Sequence, residues 1–159
     1  VVDALAVAAQ ALVSKHLGRD DPATARAVSD RLFQWGLLVG LALGAGFFLL
    51  RPVLPHFFTD DPDTVAALLD VYLFVALLQP LNGLVFVGDG IYMGAEKFPY
   101  LAKAMIGTAV VAATVLLLVI PMGWGLVGVW WGIATLMGGR LLTLAGPYGR
   151  GRLFQTTSA

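Results

Sequence analysis

Three long stretches without a charge constrain what this chain can fold into. Leu32 to Leu50 holds nineteen such residues, Val71 to Gly88 eighteen, and Ala104 to Gly139 thirty-six. A hydrocarbon core about 30 Å thick is crossed by about 20 helical residues rising 1.5 Å each. The first two stretches therefore predict one crossing apiece. The third suits two crossings, with Pro121-Met122-Gly123-Trp124-Gly125 as the place to turn. The opening run, Ala4 to Ser14, has eleven uncharged residues and is too short to cross alone. The expected fold class is all-α: a polytopic membrane helix bundle of about four complete transmembrane helices and a truncated first one. The helices are expected at about 1–16, 26–50, 65–94, 101–121 and 126–145.

Composition agrees with the spans and removes other classes. Of 159 residues, 58% are hydrophobic and 13% charged, against about 25% charged in soluble domains. Ten basic and ten acidic residues leave no net charge, so the electrostatic footprint that a nucleic acid requires is missing. There is no cysteine, which excludes disulfides, thiolate zinc and a thiol nucleophile. His16 and His56 are 40 residues apart. With no convergent set of histidines, cysteines and carboxylates, neither an enzyme nor a bound metal or other cofactor is expected.

Lys and Arg sort by side once the spans are set. Lys15, Arg19, Arg26, Arg31, Lys97, Lys103, Arg140, Arg150 and Arg152 fall on one side, and Arg51 alone on the other. The positive-inside rule puts the nine in the cytoplasm, and with them the carboxyl end. A basic front end is missing, because Asp3 comes first, so the opening is not a secretory signal. The short first run and the initial Val1 are read as a chain cut inside a membrane helix. At the other end, residues 146–159 are expected to form a frayed cytoplasmic tail. Asp20-Asp21-Pro22 and Asp60-Asp61-Pro62 each place an acidic cap before a proline at the first helical position. A calcium reading of Asp60, Asp61 and Asp63 needs further ligands and a glycine turn that this segment lacks.

Several residues stand out inside the spans. Gly36, Gly40 and Gly44 line one helical face where a neighbour can approach closely, and Gly90 with Gly94 and Gly128 with Gly132 repeat the spacing. The segment Tyr72 to Gly94 carries Pro80 in mid-span, read as a helix break, together with the amides of Gln79 and Asn82 at membrane depth. At 100° per residue, Asn82 and Asp89 point within about 20° of each other, with Gln79 and Phe86 close by. This stripe faces protein or a water-filled cavity. Tyr72, Gln79, Asn82 and Phe86 are the candidates for lining such a cavity. The alternative is that the amides glue helices together and repair the proline kink. Asp89 and Arg140 reach a similar level and can pair, or each can snorkel to headgroups. Trp124, Trp130 and Trp131 near the outer turn fit an aromatic belt.

The order of these features closely resembles the multidrug and toxic compound extrusion (MATE) transporters, and within them the DinF-like branch. The resemblance is carried by Asp3-Ala4-Leu5-Ala6-Val7-Ala8-Ala9-Gln10-Ala11-Leu12-Val13, by Phe57-Phe58-Thr59-Asp60-Asp61, by Gln79-Pro80-Leu81-Asn82-Gly83-Leu84-Val85-Phe86-Val87-Gly88-Asp89-Gly90 with Gly94, and by Gly125-Leu126-Val127-Gly128-Val129-Trp130. It extends to about residue 145. It implies a twelve-helix, two-lobe transporter that exports small organic compounds by alternating access against inflowing protons or sodium ions. Residues 1–145 would be part of its C-terminal lobe, partnered by the bilayer and by an N-terminal lobe not contained here. In the sodium-linked branch an acidic residue of the tenth helix matches the position of Asn82, so the resemblance favours protons as the coupling ion, with sodium as the alternative. In the DinF-like branch the proton-carrying aspartate lies on the first helix, outside this sequence. A bacterial-type plasma (inner) membrane is the expected location.

Two other functions fit parts of the pattern. A lipid-linked flippase of the wider superfamily would show more basic residues facing the cavity. A non-transporting scaffold or assembly subunit would use the glycine faces alone and be indifferent to Gln79 and Asn82.

Overall fold

The computed structural model describes residues 2–154, with Arg152 described by its backbone only. Six α-helices follow in order: α1 (Val2–Leu17), α2 (Pro22–Leu50), α3 (Leu54–Phe58), α4 (Pro62–Gly94), α5 (Phe98–Val119) and α6 (Gly125–Gly149), then one 3-10 turn at Arg152–Phe154. Among the described residues there is no strand. Four helices, α2, α4, α5 and α6, are long and apolar enough to cross a membrane. The outer surface is made of bulky apolar side chains: Leu117 is 76% exposed, Ile120 88% and Leu142 75%. Such a surface is stable against hydrocarbon and unstable against water. The fold is an all-α membrane helix bundle.

The helix starts follow their caps. Asp21 accepts a hydrogen bond from the Thr24 N–H and Asp61 from the Thr64 N–H, each with proline at the next position. Because capping satisfies the first free N–H groups, α2 and α4 begin at Pro22 and Pro62, where the Asp-Asp-Pro caps place them and ahead of the approximate span bounds of 26 and 65. α5 begins at Phe98 rather than 101, with Pro99 in its first turn and no side-chain cap, and ends at Val119 rather than 121. The turn into α6 closes with Gly123 at φ +65° and Gly125 at φ +55°, angles that cost little only without a side chain.

The expected tail at 146–159 differs more. α6 continues to Gly149, and the 3-10 turn after it buries Leu153 and Phe154, 3% and 7% exposed, against the core around Val13, Val85, Ile91 and Tyr92. Tyr148 stacks edge-on with Phe33 and Phe154, donates a hydrogen bond to Asp30 and lies under the Arg26 guanidinium. Two apolar anchors and one aromatic tie hold 146–154 on α2. Residues 155–159 lie outside the described part.

Contacts along the seams fix the directions. Gly90 meets Ala6 and Gly94 meets Gln10, so α1 and α4 run the same way. Gly36 meets Gly83 and Gly44 meets Ala76, so α2 runs against α4. Gly88 meets Leu144 and Phe74 meets Trp131, so α6 runs with α4. Gly132 meets Leu116 and Gly139 meets Thr108, so α5 runs against α6. The connections at 18–21 and 95–97 and the end of α6 therefore share one side, and those at 51–61 and 120–124 share the other.

Candidate functional site

The centre of the bundle is built on bare backbone. A Cβ added at Gly40 would stand 2.6 Å from the Pro80 Cα and 2.7 Å from the Gln79 carbonyl oxygen. At Gly44 it would stand 2.7 Å from the Ala76 oxygen, and at Gly94 2.6 Å from the Gln10 oxygen. Real side chains do not approach backbone this closely, so glycine is required along the seam. Pro80 belongs to this arrangement. Without an N–H it leaves the Ala76 carbonyl without its helical donor, and that oxygen faces the bare Cα of Gly44. The expected break at Pro80 is absent: α4 runs unbroken from Pro62 to Gly94. The reason is that the proline removes one hydrogen bond in a helix clamped on this face by Gly36, Gly40 and Gly44.

Beside this seam, Gln79, Asn82 and Phe86 of α4 line a groove of about 360 Å³ together with Val2 and Asp3 of α1 and Leu43 of α2. Three of the four residues singled out for cavity lining are thus together. Tyr72 is not with them: it is buried, 7% exposed, and stands outside the groove lining. Its stripe position is the same, but α4 at that level is covered by its neighbours. The Gln79 amide donates to the Val75 carbonyl, not to the carbonyl that Pro80 frees, so it repairs nothing there. Asn82 Oδ1 and the Tyr72 hydroxyl are buried and, among the described residues, have no hydrogen-bond partner. A polar atom left so at membrane depth costs several kcal/mol, which water or a ligand entering the groove would relieve at Asn82.

Asp3 is the residue that sequence reasoning passed over. It is exposed, on the first turn of α1, and among the described residues is the single ionisable one lining the groove. Nothing in its spacing marks it, because it reaches the Asn82 stripe only through the α1–α4 contact at Ala6 and Gly90.

Asp89, seven residues beyond Asn82, turns away to α6. The Arg140 guanidinium donates to its carboxylate, and each side chain is 14% exposed. Two tyrosines fasten the same region: Tyr92 donates to the Leu144 carbonyl and Tyr100 to the Thr143 carbonyl, both at 2.6 Å. The Thr143 oxygen is available because its helical donor would be the nitrogen of Pro147, which carries no hydrogen. Asp89 and Arg140 therefore join α4 to α6, while Gln79, Asn82 and Phe86 border open space.

Outside the membrane, Asp21 and Asp61 are held below the ordinary aspartate value near 3.8. The side-chain hydrogen bonds from Thr24 and Thr64 come first as causes, followed by their backbone N–H groups.

No solved structure matches the chain. It is similar to Protein DETOXIFICATION 44, chloroplastic, of Arabidopsis thaliana, 34% identical over 142 residues that make up 89% of this chain and 27% of that protein. Protein DETOXIFICATION 42 of the same plant is 36% identical over 86% of the chain and 26% of its own length. Uncharacterized transporter C323.07c of Schizosaccharomyces pombe is 28% identical over 82% of the chain and 25% of its own length. The chain thus spans about a quarter of the length of the curated relatives it matches. Residues 1–124 match the MatE family, and the chain belongs to it: a membrane-embedded transporter family, not an enzyme family.

Proposed function

We propose that the chain forms part of the C-terminal lobe of an exporter of small organic compounds that works by alternating access against an inflowing cation. The observation that carries this is the groove at Gln79, Asn82 and Phe86, where a buried amide oxygen has no partner and an aspartate from a second helix lies at the wall. Amides and an aromatic ring serve organic molecules by hydrogen bonding and stacking, and one carboxylate favours cationic over anionic solutes. Polar residues at the interface of two repeats, near the bilayer midplane, are how secondary transporters hold cargo, which supports facing this groove toward a second lobe. The coupling ion proposed is the proton, since the α4 position that would carry a sodium-binding acid holds Asn82, an amide. The motif order supports the DinF-like branch. The nine-to-one split of basic residues supports a cytoplasmic carboxyl end, and a bacterial-type plasma membrane is the location proposed with the DinF-like branch.

The test is dye export by cells producing the full-length protein. Asn82→Leu and Gln79→Leu, at unchanged abundance in the membrane, are expected to lower export at least tenfold. In proteoliposomes a pH gradient should drive transport without sodium. Undiminished export by both variants would refute the cavity wall and favour the scaffold built on glycine faces. A strict sodium requirement would refute proton coupling.

A further inference from the structure

The α5–α6 pair presents to the membrane a long seam, distinct from the groove at Asn82. Lys103, Gly107 and Val111 of α5 with Thr135, Gly139 and Leu142 of α6 line a groove of about 550 Å³. A second hollow of about 500 Å³, with Val115 and Trp131 in its wall, shares Thr135 and continues the first toward the turn at 120–124. Gly107 is what keeps the first groove wide: a Cβ added there meets nothing within 4 Å. The polar atoms of the wall are occupied. The hydroxyl of Thr108 donates to the Ala104 carbonyl, that of Thr135 to Trp131 and that of Thr143 to Arg140. One group is left to recognise a ligand, the Lys103 ammonium at the mouth, which is exposed and makes no ion pair among the described residues.

Charge says what that ligand is. Beyond Glu96 the chain has no acidic residue at all, whereas Lys97, Lys103, Arg140, Arg150 and Arg152 follow. Among the side chains described, Arg140 is the one of these whose charge is balanced inside the bundle, by Asp89. Lys103 therefore stands at the mouth of an apolar slot with no carboxylate within ion-pair distance among the described residues. From Lys103 to Val111 the slot runs about 12 Å along the helix axis, close to half of a hydrocarbon core about 30 Å thick.

We infer that this groove is a binding site for an anionic phospholipid of the leaflet on the basic side, its headgroup phosphate on Lys103 and an acyl chain lying along Gly107 and Val111. The inference is independent of the transport reading and takes from it only the naming of that leaflet as cytoplasmic.

Native mass spectrometry of the full-length protein in mild detergent, titrated with dioleoylphosphatidylglycerol or dioleoylphosphatidylcholine, tests it. The wild type is expected to hold the anionic lipid more tightly. Lys103→Gln should weaken that lipid about fivefold, the worth of one basic residue near a charged headgroup, and leave the zwitterionic one unchanged. Lys103→Arg should restore it. Gly107→Leu, which fills open space, should weaken both lipids. Equal affinity for the two lipids in the wild type would overturn the assignment, as would undiminished phosphatidylglycerol binding by Lys103→Gln. Displacement of the lipid by inorganic phosphate at Lys103 would assign the site to a free anion instead. If Gly107→Leu does not fold, the Gln and Arg variants at the exposed Lys103 decide the matter alone.

Discussion

Removing one partner of the Asp89–Arg140 pair should be far more damaging than removing both. Each side chain is 14% exposed, so neither charge is solvated well enough to stand alone. Arg140→Gln would strand the Asp89 carboxylate between α4 and α6, and Asp89→Asn would strand the guanidinium. Breaking a buried pair in this way costs about 3 kcal/mol, and the cost of a lone charge inside a bilayer on insertion scales is similar. That is about a hundredfold in the ratio of folded to unfolded protein. The double variant Asp89→Asn, Arg140→Gln keeps two groups able to hydrogen-bond and strands no charge, so it should lose about 1 kcal/mol or less. The four proteins form a double-mutant cycle in which two single losses of about 3 kcal/mol and a double loss of about 1 kcal/mol give a coupling energy of about 5 kcal/mol. Reversible unfolding in bicelles, read by steric trapping or by fluorescence of labels on α4 and α6, measures it. Single variants within about 0.5 kcal/mol of wild type, adding without coupling, would refute the reasoning and leave the two groups as independent headgroup contacts.

The glycines should divide sharply by what faces them. Gly83→Ala and Gly90→Ala would drive a methyl group into the carbonyls of Gly36 and Ala6 and cost about 1–3 kcal/mol or more, whereas Gly107→Ala should be neutral or stabilise by up to about 1 kcal/mol. Thermal melting in detergent distinguishes them, and equal losses at all three would contradict the seam. The caps respond to acid. The carboxyls of Asp21 and Asp61 ionise more easily folded than unfolded, so their contribution is complete above the unfolded value near 3.8 and disappears as pH falls through the lower folded value. The hydrogen-exchange protection of the Thr24 and Thr64 amides, taken against the intrinsic rate at each pH, should fall in that acid range relative to pH 6, and Asp21→Asn and Asp61→Asn should flatten the dependence. An unchanged pH profile in the Asn variants would assign it elsewhere.

What could be read in advance followed from local chemistry. Uncharged length located the four crossings, Asp-Asp-Pro located two helix starts, and four-residue glycine spacing marked the seams. Each of these is a rule about neighbours in sequence. What stayed hidden depended on neighbours in space. Pro80 reads as a break until Gly40 and Gly44 are found against it. Leu153 and Phe154 read as part of a polar tail until the core beneath them is seen. Asp3 carries no signal of its own, since its significance comes from Asn82 on another helix. One tie was readable and went unread: a proline at 147 leaves the carbonyl at 143 without its helical donor, and a carbonyl freed in a membrane helix asks for a partner, here Tyr100.

The backbone-on-backbone seam has a mechanical corollary. Where helices meet through side chains, one can slide or roll by swapping rotamers. α1, α2 and α4 meet through glycine and carbonyl oxygen, and turning any of them by a single residue, 100°, would bring a side chain to a place with no room for one. These three must therefore be carried through any conformational cycle as one stiff plate, and the bending must be sought at its margins.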